Sequence, residues 1–251
     1  MINVGCSGWF YKHWKGTFYP DDIPQKAWFP YYANKFDTVE LNNPFYGWPK
    51  ENVLKQWYTK SPEEFMYTFK VNQSITHLKR FKETEELTRD FYKIAKTMKH
   101  KMGCFLFQLP PSFRYTADNL HNIITNLNPK HKNVIEFRHP TWWNDSVFDA
   151  LATASATFVS VSAPGIPEEV VNTNGRIYLR LHGVHQWYRH NYSEAELQEY
   201  ARRIEETNPR EIWVYFDNDE QGHAPHNALR MKEILESQYS IGEQSKADAT
   251  A

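Results

Sequence analysis

Three short segments of this 251-residue chain alternate large apolar residues with groups able to carry charge or move protons. They are Asp37-Thr-Val-Glu-Leu-Asn42, Asn133-Val-Ile-Glu-Phe-Arg138 and Arg176-Ile-Tyr-Leu-Arg-Leu-His182. Along a strand, side chains point to opposite faces in turn, so Glu40 with Asn42, Glu136 with Arg138, and Arg180 with His182 each share a row. A carboxylate beside a guanidinium is kept ionised and oriented, a setting for general acid–base work. On this pattern Glu136 is the leading acid–base candidate, Glu40 its partner carboxylate and His182 an alternate proton carrier. Arg138, Arg180 and Lys70 are candidate cations for an anionic substrate, because a guanidinium fork matches phosphate or carboxylate. Asn42, Asp217 and Asn227 are candidate polar contacts, and Trp9, Tyr46 and Trp142 candidate ring walls. The competing reading is an ion-pair network that plugs one end of the fold, since buried charges need partners whether or not they react.

Such rows matter only if the elements carrying them converge. Eight strand-like runs occupy 2–6, 37–42, 65–70, 103–109, 133–138, 157–161, 176–182 and 211–217. Helical stretches are expected near 25–35, 50–60, 83–99, 117–127, 146–152, 193–206 and 227–236. In 83–99, Leu87, Phe91, Ile94, Ala95 and Met98 recur with helical period. Ser193-Glu-Ala-Glu196 has the form of a capping box. The connection 162–175, with Pro164-Gly-Ile-Pro167, reads as loop.

Alternating strands and helices imply parallel strands with right-handed crossovers. Eight such units predict an α/β fold, a (β/α)8 TIM-type barrel forming a single domain over 1–236, with a weak or missing helix after strand 6. An open doubly wound sheet is the alternative, although no GxGxxG follows the first strand. Residues 237–251 are polar and expected to form a disordered tail. The active face of such a barrel lies at the C-terminal ends of its strands, where the three rows end.

Composition excludes several classes. The net charge of −1 provides no overall basic field for nucleic acid. No apolar stretch is long enough to span a membrane, and the N-terminus lacks a signal-peptide pattern, so a cytoplasmic location is expected. Cys6 and Cys104 form no ligand spacing. The possible ligands Glu136, His139, His182, His185, Asp217 and His223 are scattered, so no metal site is expected, and no motif points to a particular cofactor. Neither a GxSxG elbow nor a P-loop is present. A small anionic ligand is the expected partner.

Val4-Gly-Cys-Ser-Gly-Trp9, Gly16-Thr-Phe-Tyr-Pro20, Thr38-Val-Glu-Leu-Asn42 with Phe45-Tyr46, and Gln108-Leu-Pro-Pro-Ser-Phe113 occur in this order. Ile135-Glu-Phe-Arg-His139 with Trp142, Arg180-Leu-His-Gly183, and Tyr215-Phe-Asp-Asn-Asp219 with Gly222 and Asn227 follow. This series, spanning about residues 2–236, resembles the YecE-like family, a domain of unknown function. Asp217 stands where many relatives are expected to carry Asn. The resemblance implies a TIM-type barrel comparable in fold to xylose isomerase and endonuclease IV-like proteins. It implies no particular reaction. Three expectations therefore stand: an enzyme acting on a small phosphorylated or sugar-like substrate, a nucleic-acid-processing or nucleic-acid-binding protein, and a non-catalytic small-ligand binder.

Overall fold

Residues 1–248 are described by a computed structural model, in which eight parallel strands wrap around a common axis. They are β1 (Ile2–Cys6), β2 (Thr38–Leu41), β3 (Met66–Lys70), β4 (Met102–Gln108), β5 (Lys132–Glu136), β6 (Thr157–Ser162), β7 (Arg176–Leu181) and β8 (Glu211–Phe216). The hydrogen-bonded order is β1-β8-β7-β6-β5-β4-β3-β2. Its two ends, β1 and β2, meet at a seam bridged by a side chain. The hydroxyl of Tyr32 accepts from the Cys6 N–H at 2.9 Å and donates to the Thr38 carbonyl at 3.0 Å. A Cβ on Gly5 would lie 2.4 Å from that carbonyl oxygen, so the approach of the two strands requires glycine here.

The helices are α1 (Trp28–Ala33), α2 (Asn43–Tyr46), α3 (Glu51–Lys60), α4 (Glu85–Phe91), α5 (Ile94–Met98), α6 (Ala117–Asn126), α7 (Asp145–Thr153), α8 (Glu194–Glu206) and α9 (Ala224–Asp248). Thr116, Asn144 and Ser193 accept N-terminal backbone bonds of α6, α7 and α8, and the capping box at Ser193 and Glu196 is complete. No helix follows β6 among the described residues; 163–175 crosses as a loop.

Two expectations change. The regular period over 83–99 is two helices, α4 and α5, separated at Tyr92-Lys93. There the Tyr92 hydroxyl donates to Asn133 Oδ1 and accepts from the Asn128 N–H, tying the break to the start of β5. The tail expected from residue 237 begins inside α9, which runs to Asp248, while 249–251 lie outside the described residues. Polar composition suggested an end there, but Glu, Gln, Lys and Ala are good helix formers. Among the described residues no helix is long and apolar enough to cross a membrane.

Strand parity separates two layers. Val39, Leu41, Ile135, Phe137, Leu179 and Leu181 pack outward against the helices. Cys104, Leu106, Val134, Val159, Val161, Tyr178, Trp213 and Tyr215 fill the barrel's middle. Below that plug, Lys132 and Arg176 pair with Glu211. Above it stands the polar row.

Candidate functional site at the barrel mouth

Arg180, at the C-terminal end of β7, is the hub of this polar layer. It is 1% exposed and surrounded by carboxylates. Its Nε and Nη2 donate to Glu40 at 3.0 and 2.5 Å, Nη1 donates to Glu136 at 2.6 Å, and Nη2 reaches Asp217 at 3.4 Å. Glu40 also accepts from the Ser7 hydroxyl at 2.7 Å and the Tyr178 hydroxyl at 2.6 Å. Both of its oxygens are thus doubly engaged. Tyr178 was not among the expected site residues; its place two positions before Arg180 on the same strand row is the signal for it.

Glu136 is bound by Arg180 and by Arg138 Nε. Burial alone would raise its pKa, but the Arg138 and Arg180 guanidiniums outweigh that and hold it well below the usual carboxylate range. It is therefore a poor proton donor near neutral pH. Arg138 Nη2 donates to His182 Nε2 at 2.9 Å. Because arginine only donates, Nε2 is the acceptor and the imidazole proton falls on Nδ1. That nitrogen lies 3.1 Å from Asp217 Oδ2 but out of hydrogen-bond alignment. Burial, with Arg138 and Arg180, pushes the His182 pKa well below its ordinary value, so the ring is neutral.

The groups nearest the opening differ from those in the floor. Burial raises the Asp217 pKa, and its side chain is 17% exposed. Lys70 Nζ sits 4.4 Å from the centroid of the Phe45 ring. Burial, then the Arg180 charge, lowers its pKa to about 8. Trp187 covers one side, with the Arg138 guanidinium 4.7 Å from its ring centroid. Asp219, raised to about 6 chiefly by burial, binds Trp14 Nε1 and lies 3.1 Å from His13 Nε2, joining the loops after β8 and β1.

Glu40, Glu136, His182, Arg138 and Arg180 therefore belong to one end of the barrel, as strand parity suggests, and Lys70 and Asp217 join them there. Arg180 is a buried tie between carboxylates and does not face a ligand, because four of its five N–H groups are already directed at them. Asn42 and Trp9 line a separate cavity of about 150 Å3 with Ser7 and Trp57, and Asn42 Oδ1 is buried there without a hydrogen bond. Trp142 does not wall the mouth. It is fully buried, stacks on Phe137 at 4.1 Å and donates to the Phe113 carbonyl. Asn227 is likewise structural: it accepts from Asn218 and the Tyr192 N–H and donates to the Tyr192 carbonyl, fastening the start of α9. Tyr46 is 75% exposed and touches Phe45 edge-on. Sequence parity cannot separate Trp142 from a ligand wall, since it ranks residues by strand face and says nothing of loops.

Among the described residues no group of three or more His, Cys, Asp or Glu side chains is placed to hold a metal ion. A groove of about 720 Å3 lies on the flank between α3 and α5, lined by Trp48, Leu54, Tyr58 and Ile94. Its carboxylates, Glu51 and Asp90, are exposed and paired with Lys55 and Lys93, unlike the buried charges of the mouth.

Comparisons with known proteins agree with this architecture. The chain is 25% identical to UPF0759 protein YunF of Bacillus subtilis, over 96% of each chain. It is 26% identical to UPF0759 protein YecE of Escherichia coli over 45% of this chain and 42% of that protein. The crystal structure of a DUF72 family protein from Thermotoga maritima superposes with a TM-score of 0.86 at 28% identity, covering 94% of this chain and 99% of that one. D-psicose 3-epimerase from Clostridium cellulolyticum, at TM-score 0.55 and 8% identity over 97% of this chain and 99% of that one, shares the fold alone. Residues 3–250 match the family described as protein of unknown function DUF72, and the chain belongs to that family.

Proposed function

We propose that the C-terminal mouth of the barrel receives a small anionic molecule, phosphorylated or sugar-like, above a floor made by Glu40, Arg180 and Glu136. Lys70 and Arg138 take its charge, and Asp217 is the proton-carrying group beside them. One observation carries this reading. Lys70 reaches the mouth with a ring face as its contact and, among the described residues, no carboxylate partner or hydrogen bond. The nearby carboxylates Glu40 and Glu136 are already bound to guanidiniums. An ammonium left in this way favours an incoming anion.

A ligand that binds only the folded state stabilises it by RT ln(1 + [L]/Kd), about 2.7 kcal/mol at a hundredfold excess over Kd. A thermal-shift series with inorganic phosphate, sugar phosphates, carboxylic acids and short oligonucleotides tests the proposal. Small anions should raise the melting temperature of the wild type and not that of Lys70→Met. Absence of any shift at millimolar anion overturns it, and selective stabilisation by oligonucleotides transfers the site to nucleic acid.

The saturation of Glu40 by four hydrogen bonds favours, as a second reading, a binder without turnover. Conversion of a stabilising sugar phosphate, followed by NMR and lost in Asp217→Asn, would decide for the enzyme.

A further inference from the structure

Lys70 closes β3 on the inward row, and its Nζ rests against the Phe45 ring. The charged groups around it come from separate elements: Arg180 on β7, Glu136 on β5, Glu40 on β2 and Asp217 after β8. His77 faces it from the π-helical turn Ser74–Leu78, and Arg138 lies at the same mouth. Two of the three carboxylates are committed to arginine, so the lysine keeps a cationic neighbour without a carboxylate of its own. A desolvated lysine beside another cation is the setting in which its amine becomes nucleophilic. With a pKa of about 8, a fraction on the order of a tenth is neutral near pH 7, against less than about a thousandth for an ordinary lysine. The residue is also partly exposed, so a small molecule can reach it.

We infer that Lys70 is a carbonyl-capturing amine, whose Nζ condenses with the aldehyde or ketone of a small anionic, open-chain sugar-like molecule to form a protonated imine. The inference rests on the reading of the mouth as an anion site, with Arg138 holding the anionic end while Lys70 meets the carbonyl. The ammonium first loses a proton to solvent at the open mouth, where the residue is partly exposed. The nitrogen lone pair then forms the C–N bond while the carbonyl π pair moves to oxygen, which takes up a proton. Loss of the second amine proton and departure of the hydroxyl as water form the C=N bond. Overall, R–NH3⁺ and O=C give R–NH⁺=C and H2O, with no oxidant or reductant involved.

The test is reductive trapping on the full chain. Wild-type protein is treated near neutral pH with glyceraldehyde 3-phosphate or with glyceraldehyde, reduced with borohydride, digested and mapped by mass spectrometry. The phosphorylated aldehyde should label Lys70 about tenfold or more above any exposed lysine, in line with its larger neutral fraction. Inorganic phosphate should compete, and the labelling rate should rise with a midpoint near pH 8. Lys70→Arg should abolish the adduct yet retain stabilisation by phosphate, which separates amine chemistry from charge. Labelling spread over surface lysines, with phosphate still raising the melting temperature, overturns the imine and leaves the anion site standing. If phosphate neither stabilises nor competes and Lys70 is not preferred, both readings fail.

Discussion

Arg180 replaces solvent for two fully buried glutamates and touches a third carboxylate, so its removal would leave Glu40 with two hydroxyl donors and no cation, and Glu136 with Arg138 alone. Breaking a buried pair in this way costs about 3–5 kcal/mol. Arg180→Met should lower stability to urea by that order, and Arg180→Lys should rescue little, since an ammonium cannot span two carboxylates bidentately. Unchanged stability would mean that Glu40 and Glu136 become protonated or hydrated without cost. His182 makes a separate prediction through pH. Its folded pKa lies below the ordinary value of about 6.5, so the unfolded chain takes up a proton there that the folded chain refuses. Stability should therefore fall as pH drops through that value, by up to about 1.4 kcal/mol per pH unit from this group. Glu136 adds loss in the same direction at lower pH, while Asp219, raised to about 6, opposes it. Urea midpoints measured between neutral and mildly acid pH should thus change less steeply in His182→Gln than in wild type. Equal slopes would show that the imidazole is not buried neutral.

The seam between β1 and β2 depends on one hydroxyl from α1's Tyr32 rather than on a strand ladder. Tyr32→Phe leaves the Cys6 N–H and Thr38 carbonyl without that bridge, at a cost of about 1–3 kcal/mol. Hydrogen exchange at the Cys6 amide should accelerate relative to β8 amides in the same variant; retained protection would mean that the strands pair directly once the hydroxyl is gone. Gly5→Ala should destabilise by displacing the same two strands. Other element-level features were already written locally. The Ser193/Glu196 box starts α8, and Pro164-Gly-Ile-Pro167 prevents a helix after β6. The break between α4 and α5 was not legible, because Leu87, Phe91, Ile94 and Met98 keep their inward period across it while Tyr92 is claimed by Asn133 from another element.

Across the whole molecule, acidic and basic groups nearly cancel, and the mouth itself interlocks both signs. Duplex binding depends on many unpaired cations and weakens steeply with salt. Double-stranded DNA should therefore bind negligibly at physiological salt, measured by fluorescence anisotropy of a labelled duplex. Tight binding with a steep salt slope would displace the small-anion reading.

What the sequence determined by itself is whatever period and local chemistry can encode. Period-2 alternation put Glu40, Glu136, Arg180 and His182 on inward rows, and the repeated strand–helix order predicted eight parallel units, a barrel ahead of an open sheet, with those rows at one end. Tertiary structure alone decided which charges satisfy one another. Arg180 and Lys70 look alike in sequence, each a cation near the C-terminal end of a strand-like run. Closure of the barrel surrounds Arg180 with Glu40 and Glu136, which leaves Lys70 facing a ring and the opening. Trp142 and Asn227 went the other way, into packing, because their contacts come from Phe137, Phe113, Asn218 and Tyr192. Pairing between distant strands and loops depends on distances that exist only after the barrel has closed, and no spacing along the chain carries them.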